Sequence, residues 1–143
     1  MKLALAADHG GFELKEKIKE HLSKRNDLEI QDLGTNSEES VDYPKFGKAC
    51  AGLVASGEAE RGIVFCGTGI GISIAANKVK GIRCALVTNM FMAEMSRKHN
   101  NANMLALGGR ILSAEEAINI VDVWLSTEFE GGRHQRRIDL LEC

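Results

Sequence analysis

Gly62-Ile63-Val64-Phe65-Cys66-Gly67-Thr68-Gly69-Ile70-Gly71-Ile72-Ser73-Ile74-Ala75-Ala76-Asn77-Lys78 is the stretch that decides how this chain folds. It opens with four apolar residues, passes through a glycine-rich turn and ends in a helix-prone run. Strand, tight turn and helix in that order make the unit from which parallel sheets are built. The thiol of Cys66 stands where the strand ends and the turn begins. Backbone N–H groups left free at the start of a helix attract negative charge. A thiolate is stabilised in such a setting. One short segment can therefore hold both a base and a cradle for an oxygen that gains charge.

The same alternation runs outward in both directions. Strands are expected at 2–7, 28–33, 61–66, 83–87 and 103–108. Helices are expected at 11–25, 44–56, 70–79, 89–98 and 113–126. The first helix repeats Leu14, Ile18 and Leu22 on one face, with lysines on the other. The last opens on Ser113-Ala114-Glu115-Glu116, a capping-box pattern. The first, third and fourth strands are nearly all apolar, as strands covered on both faces are. A polar, acidic loop spans 34–42, and Pro44 marks the helix start that follows. The pattern implies an α/β fold: a doubly wound, Rossmann-like parallel sheet of about five strands in three α/β/α layers. With 143 residues and no repeat, low-complexity run or linker, 1–143 is expected to form a single domain.

Composition narrows the partners. A hydrophobic content of 44% is too high for disorder. A net charge of −2 supplies no field for nucleic acid or a membrane surface, so any anion site must be local. No apolar stretch approaches the ~20 residues of a membrane span. The short run Met1-Lys2-Leu3-Ala4-Leu5-Ala6-Ala7 leads straight into Asp8-His9 without a cleavage site, and reads as the first strand of a cytoplasmic protein. Cysteines at 50, 66, 84 and 143 show no Cys-x-x-Cys or zinc-finger spacing. Cys50 and Cys84 read as small core residues, and Cys143 is uninformative.

In doubly wound sheets, ligands gather beyond the carboxyl ends of the strands. Asp8-His9-Gly10-Gly11, Cys66 with its glycine turn, Thr88-Asn89 and Gly108-Gly109-Arg110 all fall there. Acid, imidazole, thiol, amide and guanidinium thus share one edge. The turn is no dinucleotide fingerprint: Ile72 stands where a third spaced glycine belongs, and no acid ends the next strand. It is no Walker loop, and Ile72 also occupies the arginine position of a phosphatase loop. The bland alternative is a tight turn that needs glycine conformations. Asp8-His9 suits hydrogen bonding to a substrate or a solvated loop better than a metal pair.

Arg133 and Arg137 share a helix face at i,i+4 and could clamp a dianion, or form a solvated basic face. His21 and His134 read as solvent-facing. Met90, Phe91, Met92 and Met95 read as core or interface packing. His99-Asn100 falls at the amino edge of the sheet, opposite Cys66. A catalytic His99 would have to reach a site on another subunit; within one chain it reads as a polar helix end.

Five segments together resemble the type B ribose-5-phosphate isomerases: Asp8-His9-Gly10-Gly11; Asp42-Tyr43-Pro44; Cys66 through Lys78; Arg97-Lys98-His99-Asn100; and Glu130-Gly131-Gly132-Arg133-His134-Gln135. That family also holds the subunits of galactose-6-phosphate isomerase of the lactose pathway. The resemblance spans essentially the whole chain. It implies interconversion of ribose 5-phosphate and ribulose 5-phosphate through an enediolate, with no metal and no other cofactor. It makes Cys66 the base between C2 and C1. It gives the enediolate oxygens to the backbone N–H groups of Gly67, Gly69, Ile70 and Gly71, helped by Thr68. His99 would assist ring opening, and Asp8, His9 and Asn100 would bind sugar hydroxyls or phosphate. Arg110, Arg133 and Arg137 would take the phosphate. The family implies a homodimer or dimer of dimers with shared sites. A hexose-6-phosphate isomerase, acting on allose or galactose 6-phosphate, is the alternative enzyme. A noncatalytic module binding a sugar phosphate or nucleotide is the alternative from another class.

Overall fold

The 62–78 stretch folds as strand, turn and helix in the computed structural model, which describes residues 1–142 and leaves Cys143 outside. The elements are β1 (Lys2–Ala7), α1 (Phe12–Leu22), β2 (Glu29–Asp32), α2 (Tyr43–Ser56), β3 (Arg61–Cys66) and α3 (Ile70–Asn77). They continue as β4 (Cys84–Leu86), α4 (Met90–Lys98), β5 (Met104–Gly108), α5 (Ala114–Ser126) and α6 (Arg133–Glu142). The five strands form one sheet in the order β2-β1-β3-β5-β4, and every pairing is parallel. The chain steps one way from β1 to β2 and the other way from β1 to β3. The switch point therefore lies between β1 and β3, with the Asp8 and Cys66 turns on either side.

Period-two alternation divides the strands between two cores. Leu3, Leu5, Ile63, Phe65, Leu105 and Leu107 pack with buried residues of α1, α4 and α5. Ala4, Ala6, Val64, Cys66, Met104 and Ala106 face α2 and α3. The second face is built from smaller side chains, so its helices come close. A Cβ on Gly62 would lie 2.8 Å from Cys50 Sγ, and one on Gly47 would lie 3.0 Å from Ile72 Cγ1. The layers are thus α/β/α, as the patterning implies.

The structure differs from the sequence reading in the extent of one strand and in the burial of two histidines. The fourth strand, expected at 83–87, spans only Cys84–Leu86; it lies at the sheet edge, and its three residues are all half-buried. Burial nevertheless pushes the Cys84 thiol up to about 12. Of the two packings expected for Met90, Phe91 and Met92, their exposure excludes the core and leaves the interface. His134 is buried, not solvent-facing. It is anchored on α6, whose only buried residues are His134 and Ile138. His21 is half-buried and bonded through Nε2 to Asp122 Oδ1 at 3.0 Å. Among the described residues, no helix is long and apolar enough to cross a membrane.

Candidate active site

Backbone contact brings three strand-end turns together. Asp8 N–H donates to Phe65 O at 3.1 Å, Gly109 N–H to Cys66 O at 2.8 Å and Arg110 N–H to Gly67 O at 2.9 Å. A Cβ on Gly11 would sit 2.4 Å from the Phe65 carbonyl carbon, and one on Gly109 would sit 2.5 Å from Gly10 O. These glycines are needed for main chain to pass main chain, more than for unusual dihedrals. Gly69 is different: its φ is +83°, and it opens α3 from the left-handed region.

The Cys66 side chain is 5% exposed, and its Sγ accepts the Gly69 N–H at 3.1 Å. The next amide, Ile70 N–H, donates to Thr68 Oγ1 at 3.2 Å. Two of the expected oxyanion donors are therefore engaged within the turn. Gly71 N–H lies in the first turn of α3, where amides lack an intrahelical acceptor. Thr68 and Ile70 are exposed around the thiol. The arginine of the next turn lies directly above: Arg110 Nη1 is 2.8 Å from where a Gly67 Cβ would be.

Asp8 is buried, and its Oδ1 accepts the Gly10 and Gly11 N–H groups at 2.9 and 3.1 Å. One carboxylate oxygen thus shapes its own turn. His9 Nδ1 accepts the Val41 N–H at 3.2 Å. An amide can only donate, so the neutral ring carries its proton on Nε2. His9, Gly10, Gly109 and Arg110 line a cleft of about 450 Å³, with Lys17 and Ser113 on its rim. A larger cavity of about 690 Å³ lies elsewhere, beside Arg83, Asn100 and Leu141. Its position at the start of β4 separates it from the thiol.

Sequence reasoning assigned no role to Tyr43. Its ring lies over the turn, with Cζ 2.7 Å from where a Gly71 Cβ would be. The signal was there in two parts: an aromatic just before Pro44, and a glycine in the first turn of a helix. Asn89, expected among the edge groups, is instead spent locally. Its Oδ1 accepts Met92 N–H at 2.8 Å and caps α4.

The structure does not bring His99, Asn100, Arg133 and Arg137 to this turn. His99 follows α4, and Asn100 O accepts from Arg83 Nε, a residue just before β4. That is the amino edge of the sheet, opposite Cys66, as the element order implies. A second cluster assembles there. Glu130 N–H donates to Lys98 O at 3.2 Å, which brings the start of α6 to the end of α4. The His99 and His134 rings stack at 4.2 Å with 14° between their planes. Both Nε2 atoms approach one carboxylate oxygen of Glu130, at 3.8 and 3.5 Å. Burial and then the nearby His99 and Arg133 hold the His134 imidazole below its usual range, outweighing the pull of Glu130. Arg133 and Arg137 are exposed on α6.

A family model described as Ribose/Galactose Isomerase matches residues 3–141. The chain belongs to that family. Ribose-5-phosphate isomerase B of Escherichia coli (strain K12) is 48% identical over 140 residues, covering 98% of this chain and 93% of its own length. The Clostridium thermocellum ribose-5-phosphate isomerase B structure superposes with a TM-score of 0.98 at 56% identity, covering 99% of this chain and 95% of that one. The Mycoplasma genitalium ribose-5-phosphate isomerase B structure, solved with bound ribulose-5-phosphate, gives a TM-score of 0.94 at 44% identity over 99% and 93% of the two chains. The five-stranded parallel sheet is thus the fold of solved ribose/galactose isomerases.

Proposed function

We infer that this member of the ribose/galactose isomerase family interconverts ribose 5-phosphate and ribulose 5-phosphate, in the cytoplasm, as a homodimer or dimer of dimers. The observation that carries the reading is the Cys66 sulfur, held by the Gly69 N–H at the mouth of α3 and flanked by the Asp8 and Arg110 turns. Moving a proton between C2 and C1 needs a base and a means of holding the charge that develops on oxygen. Cys66 is the base. Thr68 and the N–H groups of the Gly67–Gly71 turn that remain unengaged take the enediolate oxygens. Each well-placed donor is worth about 3 kcal/mol in such a role. Arg110 and His9, whose Nε2–H points away from Val41, bind the phosphate end, and Asp8 and the sugar hydroxyls complete the register. Binding far from C1 and C2 then holds the reacting carbons against the sulfur.

His99, Asn100, Arg133 and Arg137 complete the site from a second subunit in this reading. Their place at the opposite sheet edge supports it, because one chain cannot bring them to Cys66. The exposed Ile70, Ile74, Met90, Phe91 and Met92 supply an apolar surface between the two half-sites. His99 opens the furanose ring, and the arginines add charge for the phosphate.

The test is turnover of ribose 5-phosphate in deuterated water with a chelator present. Ribulose 5-phosphate carrying solvent deuterium is expected. Binding without turnover would replace this reading with the noncatalytic one. The family description also names galactose, so a panel of ribose 5-phosphate, allose 6-phosphate and galactose 6-phosphate ranks the sugars. The pentose phosphate is expected to show the highest kcat/KM.

A further inference from the structure

We propose that His99, Glu130 and His134 form a binding site for a zinc-class divalent ion, and that occupation of this site inhibits the isomerase. The three ligand atoms lie within 4.8 Å of one another. Glu130 Oε1 is 3.5 Å from His134 Nε2 and 3.8 Å from His99 Nε2. Ligand atoms around a tetrahedral zinc ion are about 3.4 Å apart, given bonds of about 2.0–2.1 Å. Both distances to Glu130 are thus within a few tenths of an ångström of that spacing, and the two histidine nitrogens lie within 4.8 Å of each other, with water as fourth ligand.

A second observation points the same way. The His134 side chain is only 10% exposed, so its ring is held in place, and its Nε2 faces the Glu130 carboxylate at 3.5 Å. An ion shared with Glu130 would bind that nitrogen. The main chain is already set: Glu130 N–H is bonded to Lys98 O, which keeps the 127–132 segment on the end of α4. Glu130 is half exposed and free to turn. The rings are stacked at 14°, so coordination requires them to swing about Cβ–Cγ until their lone pairs converge. The positive charges of Arg133 and Arg137 oppose a cation here. Two nitrogen donors and one carboxylate select zinc, cobalt or copper over magnesium or calcium, which prefer oxygen.

The inhibitory half rests on the reading that His99 opens the sugar ring, because a metal on Nε2 removes the lone pair that accepts the proton. The binding half does not rest on it. Binding is measured on full-length Cys66→Ala protein, which removes a competing sulfur ligand, by zinc competition against a chromophoric chelator. One ion per chain is expected on these ligands. Glu130→Gln, His99→Ala or His134→Gln in that background should each weaken binding by about tenfold or more. Glu130→Gln alters an exposed side chain, so it tests the site without a folding risk. Cobalt(II) should give tetrahedral visible bands on Cys66→Ala that Glu130→Gln loses, while magnesium binds nowhere at the same concentration. Binding unchanged by all three substitutions, or absent from Cys66→Ala, overturns the site. For the wild type, zinc should inhibit isomerisation reversibly, and Glu130→Gln should be less sensitive. Zinc bound at the triad without inhibition would leave the site standing and remove His99 from ring opening.

Discussion

Cys66 and Gly11 show how single residues divide chemistry from construction. The sulfur is nearly buried, and its one hydrogen bond is to an amide of its own turn. Replacing Cys66 with Ala removes the proposed base and little packing. Turnover is expected to fall between about a hundred- and ten-thousand-fold, with the unfolding free energy lowered by only about 1 kcal/mol for the loss of one buried sulfur. Steady-state assay and urea titration check both; near-normal turnover would remove Cys66 from the base role. Gly11 has no reactive atom, yet a methyl there would drive into the Phe65 carbonyl. Gly11→Ala should therefore cost roughly 1–3 kcal/mol and also reduce kcat/KM, because the Asp8-His9 turn must move. A stable, fully active Gly11→Ala enzyme would show that the two turns are not packed as described.

At the scale of elements, α1 holds the β1 and β2 turns in register through a buried charge. Lys15 is fully buried on α1 and pairs with Asp32 Oδ2 at 2.7 Å, while Asp32 Oδ1 accepts Gly34 N–H at 2.9 Å. Gly34 O in turn accepts Ala7 N–H, one residue before Asp8. Burial pushes the Asp32 carboxyl up, but Lys15, the Gly34 amide and Lys19 outweigh it and hold it below the usual carboxylate range. A carboxyl whose folded value is depressed stabilises the fold above its unfolded value, near ~3.9, and loses that contribution as pH falls through the folded value. Urea unfolding measured across the acid range should show this limb, and Asp32→Asn should flatten it. Lys15→Met keeps the volume and strands the carboxylate. Lys19 still reaches Asp32 Oδ2 at 3.0 Å, so the loss should be about 3 kcal/mol, the low end for a broken buried pair. A loss under about 0.5 kcal/mol would mean that water reaches the pair.

At the scale of the molecule, the chain carries two clusters of polar residues on opposite edges of one sheet, the half-sites of the proposed reading. Cys66, Asp8, His9 and Arg110 lie on one edge, and His99, Asn100, Arg133 and Arg137 on the other. If they meet across subunits, each dimer has two composite sites, and damage to different halves can be pooled. Mixing Cys66→Ala with His99→Ala chains after subunit exchange should restore up to about a quarter of wild-type activity, because random pairing makes half the dimers hybrids with one intact site of two. Exchange is followed independently with a mass tag. Full exchange without recovery would count against a site shared between subunits.

Much of this was legible in the residues. Alternating apolar runs, Pro44 and the Ser113 capping box dictated a parallel α/β sheet, because local periodicity and termini are properties of short segments. Element order alone put Cys66 and Arg110 on one edge and His99 on the other, since each crossover returns the chain to the same end of the sheet. What no segment could declare was which element borders which. The edge position of β4, the Tyr43 ring over Gly71, the capping use of Asn89 and the burial of His134 against His99 are contacts between segments distant in sequence. They follow from packing that every element settles jointly, and so only the tertiary structure decided them.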